Sequence, residues 1–256
     1  MGLVDSTVSV STLLARPDIR RGGELARVAS ASVPTGFPQL DAELPGGGWP
    51  TGSLAELLPS HEGIGELRIL GPALAALARA GKRLAWIAPP YLPYAPALAA
   101  AGIDLAQVLI VKTRAARDAM WAAEQALHSA ACGAVLVWPA EVKYVALRRL
   151  QLAAERSQAM TMLFRPPDTA KEPSPAVLRL ALHTAAGGLA VRILKRRGAV
   201  CERPVIVDLA RPSLAEEISK GASPSFSSND QPHAPMDRAP PAEPAARGAD
   251  ARACHA

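Results

Sequence analysis

Residues 50–70 read PTGSLAELLPSHEGIGELRIL, and the fold turns on how this stretch is read. Leu54, Leu57 and Leu58 make a strand-like apolar run, a polar turn containing Gly63 and Gly65 follows, and Arg68, Ile69 and Leu70 open a helix. Strand, glycine turn and helix in that order is the layout of a phosphate-binding loop, G-x-x-x-x-G-K-[ST]. In a working loop the backbone N–H groups wrap the phosphates, the lysine reaches the β and γ positions, and the hydroxyl holds Mg²⁺. Here Glu66 and Leu67 stand where the lysine and the hydroxyl belong. A carboxylate repels a polyphosphate and a leucine coordinates no metal. Gly63, Gly65, Glu66 and Leu67 therefore read as a vestigial nucleotide loop.

Downstream of this stretch, helical and strand periods alternate. Residues 70–80 form a helix with Gly81 at its C-cap, 84–88 a buried strand, 94–101 a short helix closed by Gly102, and 105–111 a second strand. Residues 115–129 carry Ala119, Ala122, Ala126 and Leu127 at helical spacing. Then come a strand at 134–138, a helix at 142–157 and a strand at 160–164. Near-continuous apolar strands separated by helices of ten to fifteen residues predict an α/β fold, its mainly parallel sheet flanked by helices on both faces. From about residue 177 the pattern changes. Residues 177–183 and 188–195 flank an Ala-Gly-Gly turn and 204–209 follow, which predicts antiparallel strands at the C-terminal edge.

The 256 residues suffice for one sizeable α/β core. Because 49% of them are apolar and only 4% aromatic, aliphatic side chains must fill that core. The expected division is a variable leader at 1–32, a single domain at 33–210, and a tail at 211–256. The tail is so rich in Ser, Pro and Ala that it is expected to be disordered. Cys132, Cys201 and Cys254 are odd in number, scattered, and form no C-x-x-C pair, which argues against a zinc site and a disulfide framework. No metal and no cofactor is expected. No secretory h-region is present and no apolar run approaches a membrane span of about 18 residues, so the expected location is cytoplasmic, with no membrane contact. The net charge of +5 permits contact with nucleic acid but does not establish it.

Residues 35–57 read TGFPQLDAELPGGGWPTGSLAEL. Thr35, Gly36, Leu40, Asp41, Leu44, Gly47, Gly48, Gly52 and Glu56 match T-G-x-x-x-L-D-x-x-L-x-G-G-x-x-x-G-x-x-x-E-[IL], so the segment resembles the lead-in to the loop in RecA-like recombinases. The wording of GIGELRIL, APPYLPYAPALAAAGID and LAVRILKRRG is similar to one branch, the ImuA family, which is grouped with SulA. That resemblance covers roughly 170 residues and implies a RecA-like P-loop-type core. It implies a non-catalytic accessory role in SOS-induced error-prone translesion DNA synthesis. The partners it implies are an ImuB-like Y-family polymerase homologue, an error-prone DNA polymerase, and RecA. Two alternatives stay open. One is a SulA-like inhibitor of division that binds the septal tubulin homologue; the other is a DNA-dependent ATPase of the RecA class. The family's water-orienting glutamate falls on Pro89 or Pro90, and its Mg²⁺-fixing aspartate on Trp138 or Pro139, so no catalytic residue is expected. An active ATPase would need Arg68 or Lys82 to stand in for the lysine.

Arg192, Lys195, Arg196, Arg197 and Arg203 form the densest basic cluster and are the candidate DNA or partner contacts; a solvated hairpin tip is the plainer alternative. The cluster lacks interleaved aromatics, which excludes a single-strand stacking platform. Trp86, Trp121 and Trp138 read as core packing, whereas Trp49, set in a glycine turn, is expected to line a groove. His61 beside Glu62 reads as a solvated turn. Residues 89–96, PPYLPYAP, read as a rigid connector, with a partner surface as the alternative.

Overall fold

The glycine run ahead of the first core strand is a matter of steric room. In the computed structural model, which describes residues 31–198 and 203–210, β1 (Ser32–Val33) pairs antiparallel with β2 (Trp49–Pro50). A Cβ on Gly48 would lie 2.3 Å from the Val33 carbonyl oxygen, and Gly46 and Gly47 take φ of 83° and 73°. The short helix α1 (Pro38–Asp41) sits between these strands, held by the Thr35 N–H donating to Asp41 Oδ1 at 2.9 Å and the Phe37 N–H donating to Thr35 Oγ1 at 3.0 Å. Leu40, Leu44 and Trp49 are buried in the core. Trp49 therefore lines no groove, correcting the sequence expectation: the core beneath the turn covers it. Ser32 belongs to the described fold although it was expected in the leader. Residues 1–30 and 211–256, with Cys201 and Cys254, lie outside the described residues.

The main sheet has eight strands: β3 (Ser53–Pro59), β4 (Arg83–Ile87), β5 (Val108–Val111), β6 (Cys132–Val137), β7 (Met160–Phe164), β8 (Leu178–Ala185), β9 (Gly188–Lys195) and β10 (Val205–Val207). Their spatial order is β10-β9-β8-β3-β7-β6-β4-β5. All pairs from β8 across to β5 are parallel. Only β9 runs against its neighbours. The antiparallel edge thus begins one strand later than the sequence pattern predicts, because β8 pairs parallel with β3 from Ala55↔Leu178 to Pro59↔Leu182.

Helices cover both faces. α2 (Gly71–Arg79) and α3 (Ala95–Ala100) lie on one, and α4 (Ala116–His128) and α5 (Tyr144–Glu155) on the other. Alternation along β4 serves both layers: Leu84 and Trp86 pack with the first pair of helices, Ala85 and Ile87 with the second. Among the described residues no helix is long and apolar enough to cross a membrane.

The middle of β3 carries a buried charge. Glu56 is fully buried and accepts from Arg179 Nε at 2.6 Å and from the Ser174 hydroxyl at 2.6 Å. Arg165 Nη1 lies 3.7 Å from Glu56 Oε1, and Arg165 Nη2 donates to Glu172 at 2.6 Å. Buried Glu56 is thus balanced by two buried guanidinium groups in an interior where an unpaired charge would be costly, and exposed Glu172 completes the network at the surface. In the sequence Glu56 stands out only as a motif match, and neither Arg165 nor Arg179 stands out at all.

Candidate functional site

The loops at the carboxyl ends of the strands diverge. Those leaving β3 and β4 enter α2 and α3 on one face, while the loop leaving β6 enters α5 on the other. Such a divergence opens a crevice, the usual ligand position in open α/β sheets. A cavity of about 480 Å³ lies there, lined by Ser60, His61, Glu62 and Glu66 from the loop after β3, Ala88 and Pro90 after β4, Trp138 after β6, and Phe164 and Arg165 at the end of β7. Six of the positions singled out in the sequence, His61, Glu62, Glu66, Pro90, Trp138 and Pro139, thus converge on one cavity.

The loop is folded onto itself. Glu66 Oε1 accepts from the Gly63 N–H at 2.9 Å and Oε2 from the Gly65 N–H at 3.1 Å. Gly63 and Gly65 take φ of 80° and 112°, which aims their amides at a common point. The carboxylate occupies that point as a phosphate would. Leu67 turns away and packs on the core. Arg68, Ile69 and Leu70 do not open the helix as the sequence suggested. They form turns, with the Ile69 N–H donating to the Gly65 carbonyl and the Gly71 N–H to the Arg68 carbonyl, and α2 begins only at Gly71. The helix N-terminus is therefore displaced along the chain from the loop amides, and its dipole falls off within a turn.

The walls of the cavity are mostly apolar, and Arg165 Nη1 is a buried donor with no hydrogen-bond partner among the described residues. The Trp138 ring stacks on Phe164 with centroids 4.2 Å apart and planes 5° apart, and Trp86 lies 6.1 Å beyond Trp138. An aromatic stack fills the place where the resemblance puts a metal-fixing aspartate. The hydrogen bond and the charge of Glu62 hold the Tyr91 phenol above its ordinary pKa. Neither cation considered as a stand-in lines the cavity. Arg68 donates to the Leu209 carbonyl oxygen at 3.3 Å, and Lys82 precedes β4, at the opposite end of the sheet. Among the described residues no group of three or more His, Cys, Asp or Glu side chains could hold a metal ion.

The basic residues of the C-terminal edge differ in their surroundings. Lys195 Nζ donates to the Ser174 carbonyl at 2.9 Å, and Arg196 forms an ion pair with Glu43 at 2.9 Å while also donating to the Glu43 carbonyl. Arg192, Arg197 and Arg203 are exposed. Trp121 was expected in the core but is 61% exposed on α4, and Tyr91 and Tyr94 are more than 70% exposed. No protein-family model matches the chain, and no curated protein matches it.

Proposed function

We propose that the chain is a non-catalytic accessory protein of SOS-induced error-prone translesion DNA synthesis, on a RecA-like core whose nucleotide loop has been closed. It acts in the cytoplasm beside an ImuB-like polymerase homologue and an error-prone polymerase. The observation that carries the reading is the Glu66 carboxylate on the Gly63 and Gly65 amides. That bond fills an anion cradle from within, and the positions that would supply a metal ligand and a water-orienting carboxylate hold Trp138 and Pro90. A phosphoryl-transfer site works by positioning and charge neutralisation; here the loop amides are already taken, and the guanidinium in the lining, Arg165, is ion-paired with Glu56 and Glu172. The RecA-like lineage draws support from the lead-in segment. Its matching Thr35, Asp41, Gly48 and Glu56 each perform a local structural task ahead of or within the central strand.

The test pairs chemistry with genetics. Purified protein should give no ATP turnover above background, and deletion of its gene should abolish damage-induced mutagenesis. Pulldown from damaged cells should recover polymerase components. Recovery of the septal tubulin homologue alone would favour the division-inhibitor alternative. ATP turnover that disappears in Arg68→Ala or Lys82→Ala would overturn the non-catalytic reading.

A further inference from the structure

A larger cavity lies elsewhere, between α2 and α3. Its volume is about 810 Å³, with Leu74 and Ala75 of α2, Ala97 and Leu98 of α3, and Leu209 in its walls. α3 lies over the sheet yet buries none of its six residues, so its inner apolar row faces an open groove. Tyr91, Leu92 and Tyr94, just ahead of α3, are 71%, 69% and 73% exposed, and Tyr94 lines the groove. An apolar surface of this extent marks an interaction site.

The charge of the lining says what kind of occupant fits. Arg68 and Arg79 are the charged residues of the lining, and no carboxylate is among them. Both are exposed, one just before α2 and the other its last residue. They stand eleven residues apart in the chain, at the two ends of α2.

We propose that this groove docks an acidic amphipathic helix from a partner protein. Apolar residues at i, i+4 and i+7 enter between α2 and α3, and carboxylates on the flanks pair with Arg68 and Arg79. The inference rests on the groove alone and stands whether or not the translesion reading holds.

The test titrates the full-length chain into a fluorescent 18-residue amphipathic peptide with glutamate flanks, and into the same peptide with lysine flanks. The glutamate peptide should bind at least tenfold more tightly. Arg68→Glu/Arg79→Glu should reverse the preference, and Ala101→Trp, at an exposed position on the groove's edge, should block both peptides. Circular dichroism checks that the variants fold; if they do not, the charge preference of the unmodified chain decides. Equal binding of the two peptides, or none, would overturn the proposal. So would concentration-dependent dimerisation that disappears in Arg68→Glu/Arg79→Glu, which makes a second copy the occupant. A photocrosslinker at Tyr94 that captures the chain's own residues 211–256 instead of the peptide would overturn it as well.

Discussion

Glu66 binds amides one and three residues before it, so a single side chain decides what the loop can hold. Glu66→Ala should free both N–H groups and create a weak anion site. Titration with inorganic phosphate should shift the Gly63 and Gly65 amide resonances saturably in the variant and leave them unmoved in the unmodified chain. Unmoved amides in both would mean that the cradle collapses without its carboxylate. That no lysine follows Gly65 was legible in the sequence, because G-x-x-x-x-G-K-[ST] is a strict pattern. The internal bond was not, since a glutamate after a glycine looks the same whether it points outward or back. Glu56 was hidden for a different reason: its Arg179 partner lies 123 residues away. Glu56→Gln leaves two buried guanidinium groups short of a counter-charge and should lower the unfolding free energy by about 3–5 kcal/mol. Urea denaturation measures this, and Ser174→Ala should cost only about 1 kcal/mol. Half-buried Cys132 behaves as a third case. Burial, its largest influence, pushes the thiol up, ahead of the opposing pull of Arg83 and a hydrogen bond to Ser129. The neutral thiol is therefore the form that fits the fold. Its contribution is complete below the thiol's ordinary pKa and falls as pH rises toward the folded value. Iodoacetamide should modify Cys132 more slowly than an unstructured thiol at the same pH, and Cys132→Ala should flatten the alkaline loss of stability.

At the scale of elements, the sequence reading succeeded where a period was long enough to see. The helices at 115–129 and 142–157 and the strand at 160–164 lie where the apolar spacing puts them, within two residues at each end. It failed where direction or burial comes from a partner. A strand's own residues do not state whether its neighbour is parallel, so β8 was grouped with the antiparallel edge. The two tryptophans were exchanged for related reasons. Ala119, Ala123 and Leu127 define the buried stripe of α4, and Trp121 stands roughly 200° around the axis from Ala119, a position the spacing already contained. Trp49 sits in a two-residue strand after a glycine turn, where no period exists to place it. The exchange can be measured. Trp49→Ala removes a fully buried ring and should cost about 3–5 kcal/mol. Trp121→Ala should change stability by about 0.5 kcal/mol or less. Comparable losses in urea melts would mean that α4 packs more deeply than its exposure indicates.

At the scale of the whole molecule, a chain with net charge +5 spends part of its positive charge on structure. Arg196 is 14% exposed at its side chain and tied to Glu43, while Lys195 caps the Ser174 carbonyl. Charge reversal at Arg196 would place two carboxylates together and lower the melting temperature, so it cannot by itself report on recognition. The informative variant is Arg192→Glu/Arg197→Glu, at two exposed positions. Its melting temperature should stay within a few degrees of the unmodified chain's, because exposed substitutions away from a network are worth about 0.5 kcal/mol or less. If this edge binds nucleic acid, affinity for a DNA duplex should fall. The slope of log affinity against log salt should become shallower by about 0.9 for each phosphate no longer neutralised, or roughly 1.8 for the pair. A slope that does not move, with damage-induced mutagenesis intact, would reduce Arg192 and Arg197 to a solvated strand edge. The recognition surface would then have to be sought at the groove between α2 and α3, whose Arg68 and Arg79 belong to a different face of the fold.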